Sequence, residues 1–348
     1  MIPSKKVRVM VVDDSMLARS MIIQGLSRHP QIEIVGYAIN ALDAKTKFAQ
    51  LNPDVMTLDV EMPALNGIDF LKQFLPEHPL PVILVSSLDL RVFDALAAGA
   101  VDFVRKPEKG GQEAFIATLT QKVLAASSAR VRVPAVATPA AQPSSAAQPR
   151  ALGASPGLNQ VIIGLGASTG GTEATLTVMK QLPEDIPPML IVQHMPTGFT
   201  KMYADRLNRL CRMEVREAKN GDELRRGLAL VAPADLQMRV VRVGAKYTVS
   251  CMPGEKVSGH RPSVDALFRS MADNVTCRMV GIIMTGMGQD GADGLLAMRH
   301  RGAYTIGQDK ESCIVYGMPG VAYEIGAVIT QASCENIAGV LLRHLKTL

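Results

Sequence analysis

Three residues in the second half of the chain have the types and settings that serine-based hydrolysis needs. Ser168 lies in GLGASTGG, where Gly166, Ser168 and Gly170 satisfy the GxSxG spacing of a serine held on a tight turn between a strand and a helix. Small neighbours let a substrate carbonyl approach, and the N-terminus of the following helix favours the negative charge that develops there. A serine nucleophile requires a base, and the base requires an orienting acid. His194 in IVQHMP and Asp290 in MTGMGQDGADG each follow an apolar run, so both should stand at strand ends beside Ser168. The chain order Ser, His, Asp differs from the Ser, Asp, His order of α/β hydrolases, which implies a separate fold using the same geometry. A Gly-rich turn can instead cradle a dinucleotide, but counting GxGxxG from Gly164 puts Thr169 where the third glycine belongs. Hydride transfer with a nicotinamide cofactor is therefore the weaker reading.

A second set of reactive groups lies in the first half. Asp13 and Asp14 follow one apolar run, Asp59 ends another, Ser86 ends a third, and Lys106 precedes Pro107 after a fourth. Three converging carboxylates repel one another unless a cation sits among them, and hard oxygen donors at a wet edge suit Mg²⁺. Such an ion, together with Lys106, could neutralise a phosphoryl group arriving on Asp59, and a carboxylate is a competent phosphoryl acceptor.

These residues can meet only if strands deliver them to common edges. In the first segment KVRVMVV, IEIVGYA, DVMTLDV, PVILVSS and VDFVRKP each precede a helix-like pattern, so five βα units predict a doubly wound parallel sheet over residues 1–124. Residues 125–158 are rich in Ala, Pro and Ser and lack acidic residues, the composition of a linker. From 159 to 348 the strands VIIGLGAS, PPMLIVQH, LALVAP, RMVGIIMTG and AYTIGQD predict a second doubly wound α/β domain. The runs Val240 to Val243 and Tyr247 to Val249 flank Gly244 as an inserted hairpin.

Composition narrows the function classes. Hydrophobic residues make up 47% and charged residues 20%, the balance of a folded globular chain. No apolar stretch approaches the roughly 20 residues that cross a bilayer, and the early run Val7 to Val12 ends at Asp13 and Asp14, so a cytoplasmic protein without membrane insertion is expected. The net charge of +5 is spread along the chain, aromatics are 4% and Trp is absent, which argues against nucleic-acid binding. Five cysteines occur without a CxxC pair and are expected as reduced thiols.

Residues 5 to about 124 resemble a two-component receiver domain, of flavodoxin-like fold, through VVDDS at 11–15, LDVEMPALNG at 58–67, SS at 86–87 and RKP at 105–107. The resemblance implies Asp59 as phosphoacceptor and Asp13, Asp14, Asp59 and the backbone of Glu61 as Mg²⁺ ligands. It also implies Ser86 as the switch hydroxyl and Phe103 as the switch aromatic, with Lys106 completing the site. GLGASTGGTEA at 164–174, VQHMPTGFT at 192–200, GHRPSVDALF at 259–268 and MTGMGQDGADGLLAMRHRGA at 284–303 resemble the catalytic domain of chemotaxis response-regulator protein-glutamate methylesterases.

That family implies hydrolysis of glutamate γ-methyl esters on methyl-accepting chemoreceptors, deamidation of receptor glutamines, and a chemotaxis-type histidine kinase as phosphodonor. Ester hydrolysis itself needs no cofactor. Ser168 is then the nucleophile, His194 the base, Asp290 its orienting acid, Met287 the backbone oxyanion donor and Thr169 a support of the serine turn. His260 and Arg261 are expected near the site, with a helix-capping or ion-pair role as the alternative. Ala234, Gln237 and the stretch 317–324 depart from the family pattern at positions that bear on receptor preference and deamidation. The receiver is expected to cover the cleft around Ser168 until Asp59 is phosphorylated. The rival reading is a non-enzymatic regulator whose second domain only binds a partner.

Overall fold

The computed structural model describes residues 5–62, 65–87, 91–107, 110–131, 152–153 and 156–348, which group into two compact units. The first unit alternates β1 (Val7–Val12), α1 (Met16–Leu26), β2 (Ile32–Ala38), α2 (Ala41–Leu51), β3 (Val55–Asp59), α3 (Gly67–Phe74), β4 (Val82–Ser86), α4 (Arg91–Ala97), β5 (Asp102–Arg105) and α5 (Gln112–Ala126). All five strands are parallel, in the order β2-β1-β3-β4-β5. Strands covered by helices on both faces read as unbroken apolar runs, which is why VMTLD and VILVS are buried throughout. Side chains of Ser15, Asn40 and Asn66 accept hydrogen bonds from N–H groups in the first turns of α1, α2 and α3, which sets where each helix begins.

In the second unit a 3₁₀ turn (Pro156–Gln160) leads into β6 (Val161–Ala167), α6 (Gly171–Met179), β7 (Met189–Gln193), α7 (Phe199–Leu210), β8 (Glu214–Glu217) and β9 (Leu228–Val231). The hairpin β10 (Gln237–Val243) and β11 (Lys246–Met252) comes next. It is followed by α8 (Val264–Asn274), β12 (Arg278–Ile283), α9 (Ala292–His300), β13 (Tyr304–Gln308), α10 (Met318–Glu324), β14 (Thr330–Ala332) and α11 (Cys334–Leu345). The main sheet is parallel with order β14-β13-β12-β6-β7-β9-β8, so the chain reverses its direction of growth at β6, between β7 and β12. Ligand sites of open α/β sheets gather at such a reversal, outside the carboxyl ends of the strands.

The hairpin forms its own antiparallel sheet and packs on α8, with the Ser270 hydroxyl accepting from Val240 N–H at 2.8 Å. Met238, Val240, Val249 and Cys251 of the hairpin join Leu267, Phe268 and Met271 of α8 in one core. Two features differ from the sequence expectation. The sheet gains β8 and β14 at its edges. Regular structure also reaches into both ends of the segment expected as linker, since α5 runs to Ala126 and the N–H groups of Leu152 and Gly153 donate to Asp185 at 3.0 Å. Most of that segment, 132–151 with 154–155, lies outside the described residues. All five cysteines are free thiols, three of them buried.

The close approach of α8 to β6 depends on Gly166, where an added Cβ would fall 2.2 Å from Val264 Cγ1. Overpacking of this kind costs about 1–3 kcal/mol. Gly166→Ala is expected to lower the denaturant midpoint of the second unit accordingly, and Val264→Ala in the same chain to recover part of the loss. Unchanged unfolding of Gly166→Ala would show that α8 is not seated this tightly.

Candidate active site

Ser168 follows the last residue of β6 and is half-buried. Its N–H donates to Thr285 C=O beyond β12 at 3.0 Å, and its C=O accepts from Gly171 N–H at 2.7 Å and from Gln193 Nε2 at 2.8 Å. Gly170 completes the turn with φ +76°, in the left-handed region that a side chain would strain. His194 follows β7, and its N–H donates to Ala167 C=O at 3.1 Å, so the two loops are joined through their backbones. Gln193 Nε2 also lies 3.2 Å from His194 C=O, so one buried carboxamide bridges the serine turn and the histidine loop.

His194 Nε2 is 2.8 Å from Asp290 Oδ2, and Asp290 is fully buried. The carboxylate is held by the start of α8: Oδ1 accepts from Ser263 Oγ at 2.7 Å and Asp265 N–H at 2.9 Å, and Oδ2 accepts from Val264 N–H at 2.8 Å. A helix N-terminus offers unpaired N–H groups and a positive dipole end, so this is a natural seat for a buried anion. Burial pushes the Asp290 pKa up, but His194, the Asp265 N–H and the Ser263 hydroxyl outweigh it and leave the carboxyl below its ordinary value. An ionised carboxylate only accepts hydrogen bonds, so neutral His194 carries its hydrogen on Nε2 and its lone pair on Nδ1. Nδ1 is buried and has no hydrogen-bond partner among the described residues. The carboxylate thus faces Nε2, the opposite sense to the arrangement in which the acid faces Nδ1.

His260 also reaches this centre. Its ring lies parallel to that of His194, with centroids 3.8 Å apart and 3° between planes. The ligand atoms of His194, His260 and Asp290 lie within 4.8 Å of one another, close enough to suggest a metal site. Imidazole binds metals in its ring plane, however, and two parallel planes stacked this way share no in-plane point. Arg261 points elsewhere: Nη1 donates to Gly254 C=O at 2.6 Å and Nη2 lies 3.7 Å from Asp235 Oδ1. Thr169 is buried, and its C=O accepts from Thr285 Oγ1 at 3.0 Å. Met287 is partly exposed in the loop between β12 and α9. Gln237 donates through Nε2 to the carbonyls of Glu255 and His260, both at 3.0 Å, and accepts from Ser263 N–H at 2.9 Å. A position that departs from the family pattern thus anchors the loop that carries His260 and Ser263.

Gln193 and Ser263 are supports that sequence reasoning missed, and Gln237, singled out there for another reason, proves to be a third. Ser263 had a readable signal, a serine directly before the helical run VDALF. The other two act on backbone carbonyls that, apart from that of His194, are distant in sequence, which no local pattern marks.

In the first unit, Asp13, Asp14 and Asp59 present carboxylate oxygens within 4.8 Å of one another. Lys106 Nζ lies 2.6 Å from Asp59 Oδ2 and 3.1 Å from Asp13 Oδ2, and Glu61 N–H donates to Asp59 Oδ1 at 3.1 Å. Burial raises the Asp59 pKa despite Lys106. Burial works against the Lys106 charge as well, but Asp59 and Asp13 hold the ammonium above its ordinary pKa. Ser86 is buried with no hydrogen-bond partner for Oγ among the described residues, while its C=O accepts from Lys106 N–H at 2.7 Å. Phe103 is buried edge-on to Phe93, with centroids 6.5 Å apart. Three carboxylates against one ammonium leave an excess of hard anionic oxygen, a donor set that fits Mg²⁺.

Comparison with known proteins places these geometries. The CheB methylesterase family matches residues 163–341, and the response regulator receiver domain matches residues 9–117. The chain is 46% identical over 347 residues to a protein-glutamate methylesterase/protein-glutamine glutaminase 2 of Syntrophomonas wolfei subsp. wolfei, covering 99% of each. It is 46% identical over 342 residues to a protein-glutamate methylesterase/protein-glutamine glutaminase of Syntrophotalea carbinolica, covering 96% of each. The solved catalytic domain of Thermotoga maritima CheB methylesterase is similar at TM-score 0.51 and 33% identity, over 53% of this chain and 97% of that one.

The depressed Asp290 pKa has a defined stability signature. Its contribution is complete above the ordinary carboxylate value of 3.8 and is lost as pH falls through the lower folded value. Asp290→Asn should therefore destabilise the second unit by about 3 kcal/mol at neutral pH, the scale for breaking a buried charged pair. The deficit, measured by denaturant unfolding at several pH values, should narrow only in acid below the ordinary carboxylate range. A deficit that widened in acid would contradict this assignment.

Proposed function

Because this chain belongs to the CheB methylesterase family and carries a receiver domain ahead of the esterase domain, we propose that Ser168, His194 and Asp290 carry out its hydrolysis and that Asp59 controls it. The chain is a protein-glutamate methylesterase and protein-glutamine glutaminase of chemotaxis adaptation, activated by phosphorylation. The observation that carries the residue assignment is the buried His194 to Asp290 pair, which leaves Nδ1 as a free acceptor beside the GxSxG turn. A regulator that only binds a partner gives way to the enzymatic reading, since the full-length relatives are named for the hydrolase.

Ser168 Oγ attacks the γ-ester carbonyl of a receptor glutamate while His194 Nδ1 takes its proton. The oxyanion forms near the Met287 N–H, and losing such a donor typically costs about 10²- to 10³-fold in rate. Thr169, buried and bound through its carbonyl to the Thr285 hydroxyl, keeps the serine backbone in place. Protonated His194, stabilised by Asp290, gives its proton to the departing methoxide, so methanol leaves and an acyl-serine remains. Water then loses a proton to His194 and attacks the acyl carbon, which frees the glutamate carboxylate and restores Ser168. The same sequence on a glutamine carboxamide releases ammonia.

In the receiver, Asp59 accepts the phosphoryl group from a histidine kinase of the chemotaxis type. Asp13, Asp14, Asp59 and the backbone of Glu61 would hold Mg²⁺, which supplies neutralising charge for that transfer. Lys106, already on Asp59, pairs with the phosphoryl oxygens. The unpartnered Ser86 hydroxyl turns toward them, and Phe103 repacks as it moves. Methyl-accepting chemoreceptors are the substrate, and the cytoplasm is the compartment. Among the described residues no helix is long and apolar enough to cross a membrane.

Methanol release from methylated receptor membranes tests both assignments. Release should rise with Mg²⁺ and a small acyl-phosphate donor, fall by at least about 10⁴-fold in Ser168→Ala, and lose its response to the donor in Asp59→Asn. Release that survives Ser168→Ala overturns the nucleophile, and stimulation that survives Asp59→Asn overturns the phosphoacceptor.

A further inference from the structure

The Cβ–Cγ bond and the hydrogen bond to Asp290 anchor the His194 ring at two points, which leaves its tilt about the line between them, and with it the direction of Nδ1, to whatever packs on its faces. The structure contains a second restraint. His260 covers one face of the His194 ring in parallel stacking at 3.8 Å. His260 is itself tethered, with Nδ1 2.8 Å from Ser258 C=O. A carbonyl only accepts, so Nδ1 of His260 is the donor and its tautomer is set. The tether continues, since Ser258 Oγ donates to Asp265 Oδ2 at 2.6 Å and Asp265 Oδ1 accepts from Gly294 N–H at 2.7 Å. The His260 carbonyl is meanwhile held by Gln237 Nε2 at 3.0 Å. The stacking partner is thus built into α8, the helix whose first turn holds Asp290.

We propose that His260 is a positioning residue of the esterase: its ring, stacked flat on His194, holds that imidazole in the plane where Nε2 meets Asp290 and Nδ1 faces the nucleophile. The proposal rests on the assignment of Ser168, His194 and Asp290 above. His260 touches no reacting atom in this scheme. Its charge state suits the role. Burial, then the neighbouring His194, with a smaller push from Lys256, depress its pKa to about 4 against the opposing pull of Asp290 and the Ser258 carbonyl. It therefore stays neutral at physiological pH and can remain stacked on an imidazolium without repulsion when His194 takes the serine proton.

His260→Ala removes the stacked ring, whereas His260→Phe keeps a flat ring and removes the tether. In the full chain, His260→Ala should lower kcat for methanol release by about 10²-fold, the scale for a misplaced catalytic group, with KM within about twofold. His260→Phe should regain most of the lost kcat. Selective ¹⁵N labelling of the six histidines gives a readout independent of turnover. In the wild type, neutral His194 should show one tautomer, protonated on Nε2, and in His260→Ala its signals should average between tautomers.

Wild-type kcat together with unaltered His194 signals in His260→Ala overturns the proposal, and so does a Phe variant as slow as the Ala variant. A wild type that released no methanol would instead refute the hydrolytic assignment, and the tautomer measurement would still settle whether His260 orients the ring.

Discussion

A carboxylate taken out of water must be compensated by hydrogen bonds or charge, or it protonates or unfolds its surroundings. Asp290 meets this constraint by sitting on the first turn of α8, where Ser263 Oγ and the N–H groups of Val264 and Asp265 all donate to it. Much of the second unit's architecture serves that contact. α8 must lie close against β6, which Gly166 permits, and the hairpin must cover the other side of α8, which Val240 and Asn274 secure through hydrogen bonds. With the anion fixed, neutral His194 has a defined tautomer, and its remaining nitrogen is left as an acceptor. The reaction's geometry therefore follows from how one helix end is packed.

The receiver solves a related problem with the opposite outcome. Asp59 is equally hidden, but it is held by a lysine and one backbone N–H rather than by a full set of neutral donors. Its carboxyl is left with a raised pKa, whereas that of Asp290 is lowered. One environment favours the anion; the other, through burial, disfavours it. In both units the sheet delivers the groups to one edge where the chain reverses its direction of growth, between β1 and β3 in the first and between β6 and β12 in the second.

The interior strands were legible because burial on both faces writes them as unbroken apolar runs, as in VILVS and MLIVQ. β8 (EVRE) and β14 (TQA) were not, because an edge strand has one open side and is short and polar for that reason. Ser168, His194 and Asp290 stood out as strand-end residues of reactive type, and the structure brings the last two into contact. Arg261, for which an ion-pair role was the alternative to a place near the site, pins a loop through Gly254 and lies 3.7 Å from Asp235. The contacts of Gln193 and Gln237 were not legible because they are made to carbonyls that become neighbours only after folding. The stacking of His260 on His194 is hidden for the same reason, since the two rings are brought together by separate elements.

The most direct measurement is kcat/KM for methyl-ester hydrolysis by Asp290→Asn beside the wild type, with far-ultraviolet circular dichroism to confirm the fold. An orienting anion that sets the His194 tautomer predicts a fall of about 10⁴-fold with the secondary structure intact. A variant within tenfold of the wild type would contradict the account, because the base would then work without the anion that the α8 N-terminus holds for it.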